Sequence, residues 1–326
     1  MTAPTTSQEP AAQSAPAPTG SGAPSASPRA STPWRLLRTL GRNGKAVVGL
    51  SILLIFLVLA LLAPVLYPDD PSRIVSGGAQ SPSAEHLLGT TAKGQDVLAL
   101  TLWGSRPSLL VGFIVGTAAT AIGMVIGLIS AYFGRVVDET LSLLTNIFLL
   151  IPGLPLLVVL AAFLPQGLGT VIVVLIITGW AGTARVLRSQ ALSIRGKDYI
   201  DAAVVSGERT TRIAVRDMLP NMASIVMTTL LGSVIGAIGA QAGLEFLGLG
   251  DANTISWGNN LYWANTDGSL MLGQWWIFLP SGLAIALVAF ALALCNYAVD
   301  ELTNPRLRRT RSAARRRSAP TAGGPR

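Results

Sequence analysis

The chain has 326 residues, of which 50% are hydrophobic and only 12% charged, with a mean hydropathy of +0.53. Soluble globular chains carry about 25% charged residues, so a value half as large points to a membrane protein. The net charge of +8 comes without aromatic interleaving or a nucleic-acid motif, which argues against a nucleic-acid partner.

Residues 1–33 are rich in Ala, Pro, Ser and Thr, include seven prolines, and are expected to form a disordered tail. A membrane helix needs about 20 mostly apolar residues to cross roughly 30 Å of hydrocarbon, and six stretches qualify. The first is Ala46–Tyr67 and the second Pro107–Phe133. The third, Glu139–Leu164, contains the run IPGLP, so Pro152 and Pro155 should kink it. A tight turn at Pro165–Gly167 leads to the fourth, Leu168–Val186. The fifth is Asn221–Gly243 and the sixth Gln274–Ala298. The predicted organisation is an all-α, six-helix membrane domain over residues 34–305, with a cytoplasmic loop at 187–220 and a basic tail at 306–326.

Charge sets the orientation. Six crossings put both termini on one side, and cytoplasmic termini place 21 of the 24 Lys and Arg inside. Only Arg73, Lys93 and Arg106 fall outside. The outer segments, about 68–106 and 244–273, read either as covers over the mouth of a pathway or as inert caps.

The predicted spans hold no Asp, Glu, Lys or Arg near their centres, so no proton relay, ion site or voltage sensor is indicated. Gly112/Gly116, Gly123/Gly127 and Gly232/Gly236 are spaced for close helix packing. Cys295, the single cysteine, reads as a packing residue and excludes an intrachain disulfide. His86, the single histidine, reads as an outer-loop residue and excludes a multi-histidine metal site. The run GRNGKA at Gly41–Ala46 lacks the spacing and the Ser/Thr of a phosphate loop, and neither GxSxG nor HExxH is present. If this chain does work, its energy comes from a partner.

The loop 187–220 is longer than a connector requires, since helix connections in bundles take about 2–8 residues. Asp198 suits an N-cap and Asp201 the positive end of a helix. Ala202 and Ala203 favour helix and leave room for close approach of another surface. Gly207 can end that helix in a left-handed conformation. Arg209, Arg212 and Arg216 then recur along one side of a following helical stretch, and Pro220 opens the fifth span. Two readings stand: a helix pair shaped to fit a groove, or a solvated loop whose arginines meet anionic lipid.

The run Asp201-Ala202-Ala203, three residues, Gly207 and later Leu219-Pro220 resembles the EAA loop of permease subunits in ATP-binding-cassette importers, which implies that these residues, with Glu208 and Arg209, dock on the ATPase. It departs from that pattern with Asp201 for Glu and Asp217 at the Ile position. LGTTAKGQDVLALTLWGSRPSLLVG at Leu88–Gly112 is similar to the outer segment of the dipeptide/oligopeptide/nickel branch, with Thr91 and Gln95 departing from its GTD-x-x-GRDV. EFLGLG at Glu245–Gly250, SWG at Ser256–Gly258 and NPRLR at Asn304–Arg308 resemble the same branch. The order of these segments resembles the second (C-type) permease of such systems.

The resemblance covers roughly residues 34–309 and implies the transmembrane domain of a type I importer in the cell membrane. Its implied partners are a second homologous permease, two ATPase subunits and an extracytoplasmic binding protein. ATP and Mg belong to the ATPases, and no cofactor, metal or catalytic residue is implied for this chain. Peptides lead as substrate, with oligosaccharides, nickel or other small solutes as alternatives; Tyr262, Trp263, Trp275 and Trp276 suit either sugar stacking or interfacial anchoring. A non-transporting membrane scaffold is the rival from another class.

Overall fold

The computed structural model describes residues 44–151 and 153–303. The two tails, NPRLR and the first half of GRNGKA lie outside the described residues. Among the described residues the chain is helical, with only two isolated β-bridges, Ile74 to Gln95 and Thr90 to Asp96.

Helix α1 (Gly44–Leu66) matches the first expected span. Helix α2 (Val97–Phe133) begins ten residues before Pro107. The start is fixed by Asp96, whose carboxylate accepts from the Ala99 N–H at 3.0 Å and also meets His86 Nδ1 at 3.0 Å. Pro107 therefore sits inside the helix rather than at its mouth.

The expected third span is two helices, α3 (Arg135–Leu150) and α4 (Gly153–Phe163), each too short to cross hydrocarbon alone. The break falls at Ile151, which is extended (φ −71°, ψ 125°), because a residue before proline is pushed out of the α region. Among the described residues, five helical stretches are individually long and apolar enough to cross a membrane.

Helix α5 (Leu168–Arg195) runs past the expected end at Val186. A short helix α6 (Asp198–Val205) follows, then α7 (Thr210–Arg212), a π-helical turn (Ile213–Met218) and α8 (Leu219–Phe246). Outer helix α9 (Trp257–Thr266) leads to α10 (Trp275–Thr303).

Helix α2 is the spine, packed along α5 on one side and α8 on the other. Its glycines permit the approach: a Cβ on Gly116 would lie 2.5 Å from Val234 Cγ2, and one on Gly127 would lie 2.8 Å from the Arg188 backbone nitrogen. One core joins Val111 and Val115 of α2 to Leu157, Val174, Leu175 and Leu244. A second joins Ala60 of α1, Val234 and Ile238 of α8, Trp257 of α9 and Val288 and Leu292 of α10. A third, at the loop end of the bundle, gathers Ala131, Leu187, Ala191, Ile194, Ile200, Ile213, Met218 and Met222.

Candidate functional site

The third core positions the segment that sequence reading singled out. Ile200 of α6 and Ile213 and Met218 of the π turn are fully buried against Leu187 and Ala191 of α5 and Met222 of α8. A π turn bonds i to i+5, which brings residues five apart, here Ile213 and Met218, toward one face. The helix pair is thus bolted to two long helices by its own buried side chains.

The N-cap of α6 is Lys197, not Asp198, which instead occupies the first helical position; Lys197 is extended (φ −100°, ψ 139°) and makes no side-chain cap bond. Asp198 and Asp201 both lie in the first turn, where negative charge suits the helix dipole. At the other end Gly207 has φ +76°, the Gly207 N–H donates to Val204 O at 3.0 Å, and the Glu208 N–H donates to Ala203 O at 3.2 Å. These two bonds and the left-handed glycine make a Schellman stop. Nothing lies within 4 Å of a Cβ built on Gly207, so the requirement for glycine there is conformational.

Ala202 and Ala203 do not share a fate. Ala202 is exposed, whereas Ala203 is half-buried against the third core. The outward surface of α6 is Asp201, Ala202, Val204 and Val205, with Val205 88% exposed. Glu208 Oε2 pairs with Arg212 Nε at 3.6 Å, and Arg209, Arg212 and Arg216 are all exposed. Leu219 is half-buried at the first position of α8, and Pro220 follows it, exposed. Asp217, at the Ile position of the EAA pattern, accepts from Asn221 Nδ2 through its carbonyl at 2.6 Å. Burial and the Asp217 charge push the Tyr199 phenol above its ordinary pKa, so it remains a neutral hydroxyl beside Asn221.

Behind the helix pair, sequence gave no warning of an ionic clamp. Arg188 of α5 grips Asp138 of α3 through Nε at 2.5 Å and Nη2 at 2.6 Å, and Ser130 of α2 donates to the same carboxylate. Arg195 donates to the Ala131 carbonyl and lies 5.5 Å from the Tyr132 ring centre. Three helix ends are fastened by partners some fifty to sixty positions apart in the chain, which no local pattern reveals.

At the other end, the outer segments enclose a cavity of about 260 Å³ lined by Lys93, Gln95, Asn253, Asn259, Asn260 and Trp263 among others. Lys93 Nζ stands 3.0 Å over the Trp263 ring. Glu245, read from sequence as part of the outer segment, lies in the last turn of α8 and is buried, accepting from Gln241 Nε2 at 2.9 Å and Ser256 Oγ at 2.6 Å. Trp276 donates to Thr90 O at 3.3 Å, and Tyr262 packs against Gly248. Of the four aromatic side chains read from sequence as suited to sugar stacking, Trp275 alone is exposed.

A polytopic helical bundle that carries a short, rigidly anchored helix pair between two of its long helices defines the class: the transmembrane permease of an importer powered by other subunits. Residues 123–309 match the family described as binding-protein-dependent transport system inner membrane component, and the chain belongs to it. Residues 32–88 match the N-terminal transmembrane domain of oligopeptide transport permease C. The chain is 34% identical to the dipeptide transport system permease protein DppC of Bacillus subtilis (strain 168), over 85% of each chain. It is 32% identical to the oligopeptide transport system permease protein OppC of Mycobacterium tuberculosis (strain CDC 1551 / Oshkosh), over 86% of this chain and 97% of that one. In fold it is similar to a chain of the inward-facing MetNI methionine ABC transporter, with a TM-score of 0.52, 22% identity, and coverage of 63% of this chain and 95% of the other. This protein is therefore a multi-pass membrane permease subunit that works with an ATPase and a substrate-binding protein.

Proposed function

We propose that this chain forms half of the transmembrane path of an ATP-driven peptide importer in the cell membrane, with both termini cytoplasmic. A second, homologous permease supplies the other half, and two ATPases, which hold the ATP and Mg, drive the pair. This chain itself binds no cofactor and catalyses no reaction. The relatives named for dipeptide and oligopeptide transport support the substrate class, and the inside excess of basic residues supports the orientation. The α3–α4 pair, with both helices packed against α5, makes the third of six crossings. The second permease meets α8 where Gly232, Gly236 and Gly239 present bare backbone, with nothing within 4 Å of a Cβ on any of them.

The observation that carries the coupling role is the two-sidedness of α6. Its inner side is buried in the third core, and its outer side offers Ala202, Val204 and Val205 to the cytoplasm. An apolar surface on a fixed support suits insertion into a cleft of an ATPase, which then moves α5 and α8 together. Asp201, Ala202, Ala203, Gly207, Glu208, Arg209, Leu219 and Pro220 build that element, with Ala203 facing its support.

The test uses the complete transporter reconstituted in vesicles and offered peptides and oligosaccharides. Ala202→Trp overpacks the docked surface at about 1–3 kcal/mol, so ATPase retention weakens roughly 5- to 150-fold. Arg209→Ala changes retention less, because exposed ion pairs contribute about 0–1 kcal/mol. Normal retention and uptake with Ala202→Trp refutes docking through α6. Uptake of oligosaccharides but not peptides refutes the substrate class.

A further inference from the structure

The eight-residue connection between α9 and α10 carries an apolar tip on the outer side. Leu270, Met271 and Leu272 are 57%, 96% and 67% exposed. The tip is a folded turn, not a slack loop: Leu272 N–H donates to Gly268 O at 3.1 Å and Gln274 N–H closes onto Ser269 O at 2.9 Å. Gly268 and Gly273, at φ +71° and +70°, set the two bends. Three large apolar side chains are thus presented to the surroundings by a built structure.

We propose that this tip is seated in the outer leaflet of the membrane, with Leu270, Met271 and Leu272 among the headgroups and upper acyl chains. The argument begins with the rotation of α10. Trp276 is turned inward by its bond to Thr90 O, which directs Trp275 outward at 53% exposure. Leu279, Leu283 and Phe290 continue from Trp275 along the same side of the helix, and all are exposed. That stripe is a surface for hydrocarbon, with a tryptophan at its outer limit.

Chain geometry then fixes the level of the tip. The closure at Ser269 and Gln274 holds both ends of the turn beside the first turn of α10. A chain that goes out and back over four residues rises by no more than about 7 Å. The headgroup zone of one leaflet is about 5–7 Å deep, so the tip stays within reach of lipid whichever way it leans.

A protein partner fits elsewhere. Helix α8 directs Val234 and Ile238 toward the core it shares with α10, and turns Gly232, Gly236 and Gly239 the opposite way. Beyond α10 stands α1, whose Leu50, Leu54, Leu57 and Leu61 are exposed. The α1–α10 side is accordingly the lipid-facing periphery, and the tip adjoins it.

The experiment uses the assembled transporter in proteoliposomes with Cys295, the single native cysteine, replaced by Ala. An environment-sensitive fluorophore is attached at Met271→Cys and, as a control on the outer end of α9, at Asn265→Cys. At Met271→Cys, quenching by lipids brominated on the upper acyl chain is severalfold stronger than quenching by aqueous iodide; at Asn265→Cys the order reverses. Dominant iodide quenching at Met271→Cys overturns the proposal. So does shielding from both quenchers, or shielding that appears only when the binding protein is added, since either outcome makes the tip a protein contact.

Discussion

The two ends of the bundle are fastened in different ways. At the end that carries the helix pair, charge does the fastening: Arg188 holds Asp138 in a bidentate pair, and Arg195 reaches the last turn of α2. At the other end, beside the carboxylate contacts of Asp96 and Glu245, neutral donors reach single backbone carbonyls across long stretches of chain. Trp257 Nε1 donates to Thr101 O at 2.9 Å, Asn260 Nδ2 to Leu100 O at 3.1 Å, and Trp103 Nε1 to Tyr67 O at 3.2 Å. Charge-assisted, two-point bonds are the stronger and more directional kind. The difference teaches that the end carrying the helix pair is built as a clamp, while the opposite end is joined mostly through separate neutral bonds.

The largest effect should come from cutting into the third core, under the helix pair. Ile213→Ala leaves a cavity under the helix pair, with a loss of about 2–5 kcal/mol. Thermal unfolding of the purified complex should shift down, and a cysteine at Val205 should lose its fixed accessibility. An unchanged midpoint would mean that the core does not support the pair.

Asp138→Ala should cost somewhat less, about 2–3 kcal/mol, because it strands a partly buried Arg188 that had charged hydrogen bonds. The double variant Asp138→Ala/Arg188→Leu should recover part of the loss. Additive losses in the double variant would show that the clamp is decorative.

The smallest effect belongs to the outer end. Asn260→Ala removes bonds to Leu100 O and Ser281 Oγ and should lower stability by about 1 kcal/mol. If it instead matches Asp138→Ala in a thermal melt, the contrast between the ends fails.

Much of this layout was legible from apolar length, and the stop at Gly207 was legible from one glycine after a short helical run. The start of α2 was not, although the sequence holds its signal: Asp96 caps the helix, yet Pro107 ten residues on reads as a boundary. The same bias hid Glu245, whose charge suggests a loop although it is the last-turn residue of α8, satisfied by Gln241 and Ser256. Ala202 and Ala203 look equivalent in the sequence, and only the rotation set by Ile200 and Ile213 separates them. The Arg188–Asp138 pair joins residues fifty positions apart, and contact at that range leaves no periodic trace in one sequence.

The length of α2 has a mechanical meaning. Its 37 residues at 1.5 Å each make a rod of about 55 Å, against roughly 30 Å of hydrocarbon. One end is capped among the outer segments by Asp96 and His86; the other is held by Arg195 next to the helix pair. A single element therefore touches both water phases, and a tilt of about ten degrees around its midpoint carries the two ends about 5 Å in opposite directions. The outer segments and the helix pair are therefore joined by one continuous element, and a displacement at either end is geometrically a displacement of the other.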